Sequence, residues 1–270
     1  MNDFTILQNL IILQWRRQVE TLIEIKNVTK VFKEKKKETI AVRDVSCTVK
    51  KGEMVALLGE NGAGKTTLLR MMATLLSPTS GQIMMNGYDT VQQPTVIRQK
   101  LGVLFGGETG LYERLTAREN LAYFASLYGM DKKEIHTRIE QLSTRFGMDP
   151  FLDRRVGKFS KGMRQKVAIA RALIHNPDVV LFDEPTTGLD ITSANVFRQL
   201  LKELQQEGKT IVFSSHIMEE VKMLCESVII IHKGQLIYRG NLQTLYQQEG
   251  TDDLNAIFMS KLAQGGTELC

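Results

Sequence analysis

Gly59 to Thr66 reads GENGAGKT, which satisfies G-x-x-x-x-G-K-T in full. Glycines at that spacing let backbone amides turn inward around an anion, and a helix opening directly afterwards adds partial positive charge. The chemistry to expect is phosphate binding. Gly59, Glu60, Asn61, Gly62, Ala63, Gly64 and Thr67 would form the cradle, Lys65 would reach the terminal phosphates of a nucleotide, and the Thr66 hydroxyl would ligate Mg²⁺. A plain glycine-rich turn at a helix start is the competing reading. It does not call for Lys-Thr between a short apolar strand and a helix.

A second candidate lies in VVLFDEP, where Asp183 and Glu184 follow four apolar residues. A strand would deliver both carboxylates to the carboxyl edge of a sheet, where open α/β folds bind ligands. Asp183 would hold Mg²⁺ through water, and Glu184 would act as general base on an attacking water. Alone, Asp-Glu after a strand is often only a turn, and the phosphate loop upstream is what favours the chemical reading. TIVFSS ends at His216, which could contact a γ-phosphate and its water or simply cap the next helix.

A third stretch is harder to place. FSKGMRQKVAIARALI, from Phe159 to Ile174, holds no carboxylate, histidine or cysteine. Ser160 and Gly162 open a helix, so hydroxyl, backbone amides and dipole can point at an anion. It also reads as a capped amphipathic helix with IARAL in the core.

The elements that would carry these groups alternate along the chain. LIEIKNVTKVF and AVRDVSCTV read as strands joined by the charged turn KEKKKETI, a hairpin on a sheet. The lysines Lys35–Lys37 suit a solvated tip or, alternatively, contact with phosphate or lipid. MVALL is a short buried strand, and TTLLRMMATLL is a helix stopped by Pro78 and Gly81. QIMMNGYD is a strand and turn. From about Pro94 to Phe159 the texture is mostly helical. Helices and strands alternate again afterwards, through VVLF, TIVFS, SVIIIH and QLIYRG. Such alternation predicts a mainly parallel sheet covered on both faces, with a helical insertion inside one α/β core.

The whole chain has 270 residues, 43% of them apolar and 24% charged, with a net charge of +5. That suits one large α/β domain or two small ones, and the charge is compatible with a nucleotide, a nucleic acid or an anionic membrane face. Cys47, Cys225 and Cys270 are scattered, which argues for a reducing compartment and against a disulfide framework or zinc site. No apolar run approaches the roughly 18–20 residues of a membrane span. MNDFTILQNLIILQWRRQVE places its apolar run before its charges, unlike a secretory signal. Residues 1–21 are expected to be a poorly ordered extension or a short amphipathic helix, with a natural start near Val19 or Leu22. Residues 22–242 form the main domain, with the helical part at about 94–160. Residues 243–270 are a tail with a short helix near Leu254–Leu262.

Taken in order, these motifs resemble the nucleotide-binding subunits of ABC transporters, over about residues 22–242. GENGAGKTT looks like the Walker A motif, VVLFDEP the Walker B motif, TGLD (Thr187–Asp190) the D-loop, and SSH the switch-histidine region. The resemblance implies a P-loop NTPase (RecA-like) mixed sheet with an antiparallel β hairpin and an inserted helical subdomain. It implies ATP and Mg²⁺ as cofactors and ATP hydrolysis as the activity. Phe32 sits where the family places the aromatic that stacks on adenine. FSKGM stands where the signature, usually LSGGQ, belongs. In the family two subunits pair head to tail, so Ser160, Lys161, Gly162 and Met163 would cover the γ-phosphate of ATP held by the partner, and Asp190 of the D-loop would also belong to the nucleotide-binding set.

The sequence departs from that pattern at two places. Lys161 and Met163 replace a signature glycine and glutamine, as in family members that move drugs, polysaccharides or ions. LGVLFGGETGLYERLT lacks the glutamine that usually contacts Mg²⁺ and the membrane partner, and Glu108 or water would supply that oxygen. FGGETGLYERLTARENLAYFASLYGM and FLDRRVGKFSKGMRQK are similar to ATPase subunits of bacterial sodium-export systems. The implied partners are a separate multi-span permease and a second ATPase subunit, without nucleic acid, at the cytoplasmic face of the membrane. Related subunits export antibiotics, drugs or lipids, so the cargo stays open. A soluble ABC ATPase acting on ribosomes or DNA would carry two cassettes or long coiled coils, and this chain has one cassette and no sustained heptads. A module that binds ATP without turnover is opposed by Lys65, Asp183, Glu184 and His216.

Overall fold

A computed structural model describes residues 21–34, 37–105, 110–187, 189 and 191–267. In chain order the strands are β1 (Thr21–Glu34), β2 (Lys37–Lys50), β3 (Met54–Leu58), β4 (Ser80–Met85), β5 (Tyr88–Asp89), β6 (Leu101–Leu104), β7 (Val179–Asp183), β8 (Thr210–Ser215), β9 (Ser227–His232) and β10 (Gln235–Asn241). The helices are α1 (Lys65–Met72), α2 (Pro94–Arg98), α3 (Ala117–Leu127), α4 (Lys132–Phe146), α5 (Lys161–Leu173), α6 (Ile191–Gln206), α7 (Met218–Leu224), α8 (Leu242–Glu249) and α9 (Leu254–Thr267).

Six strands form one sheet in the order β10-β9-β3-β8-β7-β6. Its five strands from β9 to β6 run parallel, and β10 folds back antiparallel on β9. Parallel strands buried on both faces need unbroken apolar runs, which VVLF and SVIII supply. Side chains alternate between the two faces, so each run feeds two cores. Ala56, Leu58, Val180, Phe182, Ile211, Phe213, Val228 and Ile230 join one core with α5, α6 and the helical insertion. Val55, Leu57, Val179, Leu181, Val212, Ile229 and Ile231 join the other with α1 and the antiparallel sheet. Burying each such side chain fully contributes roughly 1.5–3 kcal/mol. The second sheet, β2-β1-β4-β5, is antiparallel throughout.

Three elements differ from the sequence expectation. Leu101–Leu104 is a strand paired parallel with β7, so the sheet takes in residues inside the mostly helical stretch from Pro94. Four residues are too short to show a period, and Gly102 there lets the backbone approach Ala172 closely: an added Cβ would lie 2.4 Å from the Ala172 carbonyl oxygen. Helix α1 ends at Met72, well before Pro78, because Thr74 turns left-handed at φ 61° and Arg98 donates to its hydroxyl and carbonyl. The tail holds two helices. Asn241 caps α8, and Leu242, Leu245, Leu254, Ile257 and Phe258 pack into the main core.

The expectations for residues 1–20, for Lys35 and Lys36, for Glu108 and for Asp190 lie outside the described residues. Lys37 is exposed at the start of β2. Cys47 and Cys225 are buried free thiols, and burial pushes the Cys47 thiol up to about 11. Among the described residues no cluster of metal-ligating side chains of three or more is present, and no helix is long and apolar enough to cross a membrane.

Candidate active site

The phosphate loop joins the end of β3 to α1, and two glycines explain its path. At Gly59 an added Cβ would lie 2.5 Å from the Ile231 carbonyl oxygen. Gly64 sits at φ 106°, and a Cβ there would lie 2.4 Å from the Ala41 carbonyl oxygen. The loop is thus pressed between β9 and β2, with no room for a side chain at either point. Gly64 caps α1 without a side-chain hydrogen bond, which leaves the first amides of that helix available to an anion.

Lys65 is only 4% exposed. Its ammonium donates to the carbonyls of Gly59 at 2.8 Å and Glu60 at 3.1 Å, and stands 3.7 Å from Glu184 Oε1. Carbonyls are weak partners for a buried ammonium, and phosphate oxygens would be stronger ones. Thr66 donates its hydroxyl to Asp183 Oδ2 at 2.8 Å. The sheet brings these groups together across 117 residues of chain, because β3 and β7 both flank β8 and end at the same edge.

Asp183, 6% exposed, uses its other oxygen to accept from Ser214 at 2.7 Å. Ser214 in turn accepts from the Glu184 amide at 2.9 Å. Glu184 sits at φ 46°, a left-handed conformation rarely held by a residue with a side chain. Such strain persists where the surroundings over-determine it, commonly at functional sites. Glu184 Oε1 lies 3.5 Å from His216 Nδ1, and Oε2 accepts from the Thr187 hydroxyl at 3.2 Å. Five expected residues, Lys65, Thr66, Asp183, Glu184 and His216, thus form one connected group.

The remaining expected residues lie in other settings. Phe32 stands opposite Thr39 in the β1–β2 pair, 38% exposed, with the Lys30 ammonium 5.3 Å from its ring centre. The same hairpin carries Ala41, whose carbonyl abuts Gly64. Ser160 caps α5 by accepting from the Met163 amide at 3.3 Å, a contact worth about 1 kcal/mol. Ser160 and Lys161 are exposed, and Gly162 and Met163 are partly so. Helix α5 packs on α3, α4 and β6, so the signature segment belongs to the helical insertion.

Sequence reasoning missed several connecting groups. Ser214 and Ser215 entered only as context for His216. Gln165 donates to the Pro185 carbonyl at 2.9 Å and ties α5 to the turn after Glu184. His232 lies 9% exposed, 3.5 Å from Glu60 Oε2. Only Ser214 had a local signal, in the Ser-Ser at the end of a strand. Gln165 and His232 have none, because their partners are distant in sequence.

A buried lysine, a helix-opening glycine loop and an acidic strand end at the edge of a parallel sheet define a P-loop nucleotide-binding α/β fold. The comparison with known proteins narrows the class. The ABC transporter family matches residues 42–187, and the chain belongs to that family. It is 63% identical over 244 residues to the ABC transporter ATP-binding protein NatA of Bacillus subtilis (strain 168), covering 90% of this chain and 99% of that one. It is 39% identical to the bacitracin transport ATP-binding protein BcrA of Bacillus licheniformis, over 81% of this chain and 69% of that one. Among solved structures, a dimeric ATP-binding cassette in a post-hydrolysis state with ADP and Pi superposes with a TM-score of 0.75 at 30% identity, covering 82% of this chain and 98% of that one. This chain is an ATP-binding ABC transporter subunit and an ATPase.

Proposed function

We propose that the chain powers export through a separate multi-span permease, as one of two ATPase subunits paired head to tail at the cytoplasmic membrane face. The observation that carries the ATP-hydrolysing part of this reading is the connected group around Lys65, in which Glu184 lies between an ammonium and an imidazole. Lys65 and the amides of Gly59–Thr67 hold the β- and γ-phosphates, and Phe32 stacks on adenine. Glu184 takes a proton from water as that water attacks the γ-phosphorus. The bond to the bridging oxygen breaks, and ADP and phosphate leave. His216 contacts the γ-phosphate and orients Glu184.

Thr66 and Asp183 offer hard oxygens 2.8 Å apart, a donor set that suits Mg²⁺, which takes one or two protein oxygens and completes its shell with phosphates and water. The ion would neutralise charge on the phosphates. Ser160–Met163 present an exposed, anion-favouring helix start to the ATP of the second subunit. The dimeric relative with ADP and Pi supports pairing.

Tyr112 and Tyr123, 50% and 42% exposed, pack edge to face at 5.1 Å beside Phe124 and extend the insertion's surface as a permease contact. The cargo we infer is Na⁺, from the wording of residues 105–130 and 151–166. Export of a drug, antibiotic or lipid is the second reading, favoured by the similarity to the bacitracin relative. Affinity purification of the tagged chain from gently solubilised membranes tests the assembly. A co-purifying multi-span protein is the expected result. Its repeated absence, or ribosomal or DNA-repair proteins in its place, would overturn the transporter reading.

A further inference from the structure

Glu220 is the most deeply buried carboxylate among the described residues, 1% exposed, and the hydrolytic chemistry above makes no use of it. Its Oε2 accepts from the Thr186 hydroxyl at 2.8 Å and from the Ser215 hydroxyl at 3.3 Å. Its Oε1 pairs with Arg198 Nη2 at 3.0 Å. A carboxylate taken out of water is costly unless paired and hydrogen-bonded, and here both oxygens are engaged.

The placement of those partners is what gives Glu220 a role. Thr186 lies two residues past Glu184, and Ser215 directly precedes His216. Ser215 also accepts from the Ile217 amide at 3.0 Å, which anchors the chain on the other side of His216. Arg198 lies on α6, the helix that follows TGLD. One buried carboxylate therefore grips the segment after the general base, the segment around the histidine, and the helix leaving the D-loop. Glu184 is held at φ 46°, a conformation that needs such support. Its 3.5 Å approach to His216 depends on two backbones that meet at Glu220.

The geometry points to Glu220 as a positioning residue for ATP hydrolysis, setting the Glu184–His216 pair through Thr186 and Ser215, with Arg198 supplying the counter-charge. The inference rests on the proposed roles of Glu184 and His216. It predicts a loss in turnover without a loss in nucleotide binding, since the Glu220 carboxylate is engaged by Thr186, Ser215 and Arg198, all outside the phosphate loop. A purely structural carboxylate would lower stability and leave the kcat of the folded fraction intact.

The test compares the full-length wild type with Glu220→Ala, Glu220→Gln, Thr186→Val, Ser215→Ala and Glu184→Gln for kcat, KM for ATP with Mg²⁺, ATP affinity and melting temperature. Displacement of reacting groups by about 1 Å costs about 100-fold, so Glu220→Ala is expected to lose about that much kcat with KM nearly unchanged. Glu220→Gln keeps an acceptor for both hydroxyls but turns an amide NH2 towards Arg198, so it should recover part of the loss. Thr186→Val and Ser215→Ala should fall by about several-fold each, and they decide the question if Glu220→Ala does not fold. Wild-type kcat in a folded Glu220→Ala, or in both hydroxyl variants, overturns the positioning role. A Glu184→Gln variant that keeps wild-type turnover overturns the hydrolytic reading instead, and the two failures are distinguishable in one set of assays.

Discussion

The group around Lys65 and the segment Ser160–Met163 both suit phosphate, and they are built in opposite ways. The first is buried and wired from within: Lys65, Asp183 and Ser214 are each under a tenth exposed and bonded to one another's neighbours. The second is exposed, and Ser160 spends its hydroxyl on its own helix. The first holds its groups in place by contacts within one chain, with the His216 side chain still 49% exposed. A helix start displayed on a packed insertion needs a second surface to exclude water, which is the physical sense of the composite site proposed between subunits.

The largest expected effect separates binding from turnover in the buried group. Glu184→Gln should lower kcat by about 10²–10⁴ while ATP affinity holds, checked by steady-state hydrolysis beside equilibrium binding. Equal turnover in the variant would make the acidic strand end a structural feature only. Next comes the exposed region. Asp is as good a helix cap as Ser, so Ser160→Asp should leave the melting temperature unchanged yet repel phosphate and reduce hydrolysis by roughly tenfold or more. Mixing it with Lys65→Ala should restore activity, because one composite site of the mixed dimer is intact. No recovery on mixing would mean the two regions work within one chain.

A smaller effect belongs to the rim. Base–aromatic stacking is worth about 1–3 kcal/mol, so Phe32→Ala should raise KM for ATP by about tenfold with kcat unchanged. A kcat loss instead would remove Phe32 from the adenine site.

The least effect at neutral pH, none, is expected from His175, which stacks on Tyr128 in the insertion at 3.6 Å. Burial lowers its pKa from 6.5 to about 4, and the nearby cations Arg138 and Lys209 act the same way. The unfolded chain takes up this proton below 6.5 while the folded one stays neutral. Stability from this group is therefore complete above 6.5 and lost as pH falls towards 4. Thermal melts of wild type and His175→Phe between those pH values should show a shallower decline in the variant. Identical slopes would place the acid sensitivity elsewhere.

Local order carried most of the candidate site. The phosphate loop and the acidic strand end were readable because each is a contiguous run whose neighbours, a short apolar strand and a helix, are local too. Leu101–Leu104 was not, since four residues between helical stretches carry no period and only pairing with β7 makes them a strand. Gln165, Arg198 and Glu220 were not readable either. Apart from Ser215, 5 residues before Glu220, the partners given for them above lie 20, 22 and 34 residues away.

The chain by itself determined the glycine-lysine loop and the acidic strand end proposed to take phosphate, where the strands that carry them lie, and the family they mark. Those follow from short-range spacing, capping and apolar runs. Tertiary structure decided that Thr66 meets Asp183, that Glu184 adopts a left-handed backbone beside His216, and that a buried Glu220 joins three segments. These depend on which strands become neighbours in a sheet, and strand order is a contest among long-range burials that no local pattern records.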